Sequence, residues 1–302
     1  MPSAKCCLDG FSYDMGPEPR GAFHERRGNG GYPMASDAQA RSFYLFDIDD
    51  NLFFLPTSIF LWNAESRSER EISTEEFARV QPMLGRVGEW QPWAIGERTF
   101  RDFRDSPGLN LEQQPFIKDL RTALRGGRPW RGPSWPLLVH AAANKRAIAI
   151  VTARGHAAAT IEAGLKILVD EGLLADVPPI IGIYAVSNPD VLRILDVNDP
   201  AMTIPSVKKR AIKHAVDLAV ERYGADHPHR FGMSDDDPQN VVLSISAMRD
   251  CKLRHPDKRF FVINTNRDEF VKLEIFDMDD PVTAARTGRS LLADTPNSRR
   301  YA

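Results

Sequence analysis

The chain has 302 residues, 42% of them hydrophobic, with 39 Lys and Arg against 41 Asp and Glu and three cysteines. A net charge of -2 excludes the basic footprint of non-specific nucleic-acid binding, while length and apolar content suffice for a sizeable core. No run nears the roughly 20 apolar residues of a membrane span or forms a signal-peptide stretch, and Cys6, Cys7 and Cys251 make neither a disulfide framework nor a zinc spacing, so a reduced, cytoplasmic protein is expected.

Residues 1 to 40 hold six Gly and four Pro without apolar periodicity, the composition of a flexible arm. The folded part is expected over 41 to 277. Its first strand, 43 to 46, is apolar throughout and ends in Asp47, Asp49 and Asp50, acids that need a turn, a cation or chemistry to explain them. Asp-x-Asp-x-Asn could open a calcium loop, but Leu52 and Ser58 stand where that loop has Gly and Glu.

The interval 53 to 135 reads as a lid or small cap. It holds a β-like stretch from Thr57 to Trp62, a capping-box spacing at Ser73 and Glu76, a helical pattern over 112 to 125 and a Gly/Pro/Trp loop from Gly126 to Pro136. All five tryptophans, Trp62, Trp90, Trp93, Trp130 and Trp135, fall here; most are expected to pack the insertion, with a place left for at least one to face a ligand.

Beyond the insertion, strand and helix patterns alternate, which predicts a mostly parallel sheet flanked by helices. Strands are expected at 147 to 151, 180 to 186 and 229 to 233, with helices at 156 to 171, 206 to 223 (Ser206 as N-cap) and 239 to 252. The span 260 to 276 reads as an edge hairpin around Asn266, Arg267 and Asp268, and 278 to 302 as a flexible tail.

Three further segments carry chemistry. Thr152 ends the second core strand ahead of a helix, where its hydroxyl could hold a phosphate oxygen or cap that helix. Lys208 and Lys209 occupy a first helical turn, where the macrodipole disfavours cations, and Lys208 shares the stripe of Ile212 and Val216. Asp235, Asp236 and Asp237 end a short strand before Pro238; a capped turn explains one of them, and a divalent ion would explain more. Arg98, Arg101 and Arg104 read as a solvated basic face that could instead reach an anionic substrate.

The ordered set Asp47-x-Asp49, Thr152, a helix-borne lysine and the Asp235 cluster resembles the four motifs of the haloacid dehalogenase superfamily of phosphohydrolases, over about 43 to 276. The resemblance implies a Rossmann-like α/β core with a cap after the first strand, and a Mg²⁺-dependent phosphatase acting through an aspartyl-phosphate. Asp47 matches the nucleophile and Asp49 the general acid/base. Thr152 with Ala153 and Lys208 or Lys209 match the phosphate-binding groups, and Asp235 and Asp236 match the acids that in the family hold Mg²⁺ together with the side chain at Asp47 and the backbone carbonyl at Asp49. An acid at Asp49 points to phosphoryl chemistry, because family dehalogenases lack it and family ATPases have Thr there. Asn51 stands where the family usually has Thr or Val, Ser234 where it often has Gly, and Asn240 where a carboxylate sometimes lies. The expected substrate is a small-molecule phosphomonoester or a nucleotide, chosen by residues 53 to 135, with no membrane partner. The rival readings are a phosphotransferase of the same fold and a non-catalytic metal- or phosphate-binding regulatory protein.

Overall fold

Four consecutive apolar side chains can be buried only where both faces of a strand are covered, and Phe43 to Phe46 lie at the middle of the main sheet. The computed structural model describes residues 40–199, 201–266 and 270–276. The expected arm and tail, the cysteines Cys6 and Cys7, and Arg267 and Asp268 of the hairpin turn lie outside the described residues.

The main sheet has six strands: β1 (Ser42–Phe46), β5 (Ile148–Thr152), β6 (Ile180–Ala185), β7 (Arg230–Asp235), β8 (Arg259–Asn264) and β9 (Val271–Ile275), in the order β6-β5-β1-β7-β8-β9. The first five run parallel, and β9 returns antiparallel along β8 at the edge. This is a Rossmann-like arrangement. Alternate residues of β1 serve opposite faces: Phe43 and Leu45 join a core with α6 (Ile204–Tyr223) and α7 (Pro238–Arg254), while the Tyr44 ring meets His140 of α3 (Trp135–Ala143) at 6.1 Å. Helices α2 (Pro115–Arg125) and α4 (Ala158–Asp170) pack on each other, and a short helix, α5 (Pro189–Ile194), follows β6.

From β1 the chain moves outward through β5 and β6, then crosses back to place β7 on the other side of β1. The switch point therefore lies between β1 and β7, and the carboxyl ends of those two strands carry Asp47 and Asp235. Open α/β sheets bind ligands at such a crevice.

The insertion folds as a three-stranded antiparallel sheet, ordered β3 (Ser68–Ile72), β2 (Ile59–Asn63), β4 (Trp93–Ala94), with helix α1 (Thr74–Val80) beside it. Ile59, Leu61, Ile72, Val80 and Trp90 form its own small core, and the Ser73 hydroxyl accepts the Glu76 N–H as the capping pattern predicts.

Several expectations need correction. The run read as a loop to Pro136 already contains the start of α3, because Pro136 fits a first turn whose N–H groups are unpaired anyway. The N-cap of α6 is Thr203, whose hydroxyl accepts the Ser206 N–H; Pro205 belongs to the first turn and moves the cap three residues upstream of Ser206. Helix α4 starts at Ala158, so five residues, 153 to 157, separate it from Thr152.

Candidate metal and active site

Lys208 reaches the switch point from the second turn of α6. Its Nζ donates to Asp47 Oδ1 at 2.9 Å and to Asp235 Oδ2 at 3.1 Å, and all three side chains are buried. Asp236 brings a further carboxylate, and oxygens of Asp47, Asp235 and Asp236 lie within 4.8 Å of one another. Burial, reinforced by Asp235 and Asp49 against the opposing pull of Lys208, holds the Asp47 carboxyl well above the usual carboxylate range. Burial and then Asp235 and Asp50 push Asp236 up to about 7, and burial with Asp49 pushes Asp50 to about 6. For Lys208 burial alone would favour the neutral amine, but Asp47 and Asp235 outweigh it and hold the ammonium charged. One lysine thus faces three acids, and this surplus of hard oxygen donors fits a divalent cation of the Mg²⁺ kind.

Asp235 is fixed in turn by the Asp237 N–H at 3.1 Å and by Asn240 Nδ2 at 3.3 Å, both to Oδ1. Asn240 therefore orients an acid by donating to it. Asp237 caps α7 through the Gln239 N–H, so of the three acids after β7 one is the turn residue and two remain for the site.

Asp49 is placed differently. Both its oxygens are gripped by Arg154, with Nε to Oδ2 at 2.9 Å and a terminal nitrogen to Oδ1 at 2.6 Å. Its carboxylate thus lies outside the acid cluster that could hold a metal, while still lining the cavity. Arg154 is 0% exposed. It also donates to Thr57 Oγ1 at 2.7 Å, and that hydroxyl donates to Asp119 at 2.7 Å. On its other side it meets His156 Nε2 at 3.3 Å, and His156 Nδ1 meets Asp105 at 2.9 Å. Burial and the adjacent guanidinium lower His156 to about 4, so the ring is neutral: Nε2 accepts from Arg154 and Nδ1–H donates to Asp105. Phe103 and Phe116 flank the guanidinium, with Cζ 4.8 and 5.4 Å from their centroids. No sequence motif assigns Arg154 a role. Its signal is a single cation two residues past a buried strand, between Thr152 and His156.

Thr152 is fully buried and its hydroxyl accepts the Arg154 N–H at 3.3 Å; it is not among the residues lining the cavity, whereas Ala153 is. Asp105, from the insertion, takes the Ala157 N–H and the Thr160 hydroxyl at 2.9 Å each, capping α4 from outside its own segment. Lys209 points away from the acids, to Ser246 at 2.8 Å and Asp250 at 3.1 Å.

Asn51 is 0% exposed and ties together the ends of β1, β7 and β8 and the start of α3. Its amide spreads over Asp47 O (3.0 Å), Ser234 O (3.2 Å) and Ser234 Oγ (3.0 Å), while its Oδ1 accepts from Ser134 (2.7 Å) and Thr265 (2.9 Å). Neither Thr nor Val could make that set of bonds. The chain after the insertion passes so close that a Cβ at Gly132 would sit 2.3 Å from the Asn51 carbonyl oxygen.

A cavity of about 380 Å³ opens over the acids. Asp47, Asp49, Lys208 and Asp236 lie on one part of it, and Ile59, Phe77, Phe100, Phe103 and Arg104 of the insertion on another. No tryptophan lines it: Trp90, Trp130 and Trp135 are buried in packing, and the half-exposed Trp62 faces a separate groove. The aromatic side chains lining the cavity are thus Phe77, Phe100 and Phe103 rather than tryptophans. No family model matches the chain, and no curated protein or solved structure does either.

Proposed function

We propose that this chain is a Mg²⁺-dependent phosphomonoester hydrolase of the haloacid dehalogenase type, acting through an aspartyl-phosphate on Asp47. The observation that carries the reading is the buried Lys208 bridging Asp47 and Asp235 at the switch point, with Asp236 beside them. Desolvating that many charges costs stability, and phosphoryl transfer supplies a reason to keep them.

In the first half-reaction an Asp47 oxygen attacks phosphorus as the ester P–O bond breaks, and Asp49 gives a proton to the departing oxygen. In the second, Asp49 takes a proton from water, the water oxygen attacks phosphorus, and inorganic phosphate leaves with Asp47 restored. Lys208 offsets the repulsion between the Asp47 carboxylate and a phosphate dianion. Arg154 holds both Asp49 oxygens, so the acid/base keeps a fixed plane at the cavity wall. Asp47, Asp235 and Asp236 would hold Mg²⁺, which when bound neutralises charge on the transferring group.

The test is hydrolysis of a chromogenic aryl phosphate. Chelation and Asp47→Asn should each lower the rate by about 10³-fold or more; activity that survives both would overturn the reading. Product that forms only with an added alcohol acceptor would make the protein a phosphotransferase, and Mg²⁺ binding without turnover of any phosphomonoester would make it a binding protein.

A further inference from the structure

The insertion side of the cavity differs in character from the acid side. Phe77 and Phe100 meet edge to face with centroids 5.5 Å apart, and Phe100 and Phe103 repeat the arrangement at 5.9 Å. With Ile59 they form a continuous apolar wall on the cavity that holds the acids. Of the neutral and capping polar side chains on the lining, Ser187 donates to Ala153 O, Asn240 donates to Asp235 and Asp237 caps α7, which leaves the Thr74 hydroxyl as a single neutral polar group beside the phenyl rings. A polyhydroxylated leaving group would therefore lose water against phenyl rings with few replacement partners.

The cation on this wall is Arg104. Of the three arginines in this run, Arg101 pairs with Glu69 at 2.9 Å and Arg98 approaches the same acid at 3.9 Å, but Arg104 lines the cavity with no side-chain partner among the described residues. Its position is held from the backbone, where Arg104 bridges Gly155 and the Gly155 N–H donates to Phe103 O at 2.8 Å. An exposed guanidinium on the lining of a largely apolar wall is suited to a planar anion.

Resting on the phosphatase reading above, we propose that the substrate is a phosphomonoester whose leaving group carries an aromatic ring and, beyond it, a second anionic group. The ring packs on Phe77, Phe100 and Phe103, and the second anion meets Arg104. The experiment compares benzyl phosphate, 4-carboxybenzyl phosphate and glycerol 3-phosphate with the full chain and Mg²⁺; all three are alkyl esters, so intrinsic leaving-group reactivity differs little. Expected kcat/KM rises by roughly tenfold from glycerol 3-phosphate to benzyl phosphate and about tenfold again for the carboxylated ester. Arg104→Gln should bring the carboxylated ester down to the benzyl level, and Phe100→Leu should shrink the benzyl advantage over glycerol 3-phosphate. Equal turnover of glycerol 3-phosphate and both benzyl esters, or a carboxylate advantage that survives Arg104→Gln, would overturn this assignment and leave the phosphatase reading standing. Hydrolysis of none of the three, nor of the chromogenic ester, would overturn both.

Discussion

Replacing Asn51 with Ala removes five hydrogen bonds from a fully buried position between the ends of β1 and β7 and the start of α3. The loss is smaller than five times a single bond, because some partners have alternatives. Ser134 Oγ can turn to Ser234 Oγ, 3.0 Å away, and Ser234 O keeps the Asp47 N–H at 3.1 Å. The Thr265 hydroxyl and the Asp47 carbonyl lose their Asn51 partner, and a stranded buried polar group costs about 1–3 kcal/mol. Adding the net worth of the remaining bonds gives a destabilisation of about 3 kcal/mol, or a fall in Tm of about 6–12 °C for a domain of this size. Urea unfolding followed by far-UV circular dichroism measures it, with a shifted midpoint and an unchanged slope expected. Asn51→Asp should cost at least as much, because it turns a carboxylate oxygen toward two carbonyls and adds charge beside Asp47. A loss below about 1 kcal/mol for Asn51→Ala, or Asn51→Asp the milder of the two, would refute the clamp.

Lys208→Met leaves Asp47 and Asp235 facing each other without a cation, so the metal-free protein should lose about 3–5 kcal/mol, part of which Mg²⁺ restores; equal losses with and without Mg²⁺, read by thermal melting, would contradict the shared-charge account. Arg154→Lys cannot reproduce the two-oxygen grip on Asp49 and should lower kcat by about 10–100-fold with little change in KM; a KM effect alone would place Arg154 outside the proton-transfer geometry. Asp236 and Asp50, raised from 3.8 to about 7 and about 6, bind protons more tightly folded than unfolded, so their contribution to stability is present below pH 3.8 and is lost as pH climbs through that window. Mg²⁺ displaces the Asp236 proton, so its gain in Tm should be larger at about pH 8 than at about pH 5.5, and an equal gain at both would count against Asp236 as a ligand.

The sheet and its acids were legible because their signals are local. A strand written Phe-Tyr-Leu-Phe must be central, and acids at its end must reach the sheet's edge. Lys208 was legible for the same reason, since its spacing from Ile212 and Val216 chose it over Lys209. The role of Arg154 was not, because its partners Thr57 and Asp49 lie about a hundred residues away, and nothing near Arg154 announces them. The capping of α4 by Asp105 is hidden in the same way, as is β3, whose Ser-Glu-Arg-Glu-Ile sequence looks like a polar loop until β2 pairs with it. Asn51 shows the opposite case: a departure from a familiar pattern that is explained by Ser134 and Thr265, residues on elements that meet only in the fold.

The chain of contacts from Asp49 through Arg154 and His156 to Asp105 makes the insertion a poor interchangeable part. Grafting a foreign cap onto this sheet to change its selectivity would remove Thr57 and Asp105, leaving a buried guanidinium and a buried imidazole to find new company in the recipient. A transplant that keeps residues 57 and 105 with their flanking backbone, and varies only the wall at Phe77 and Phe100, respects the seam. For an engineer, then, the boundary between scaffold and specificity runs through the middle of the insertion.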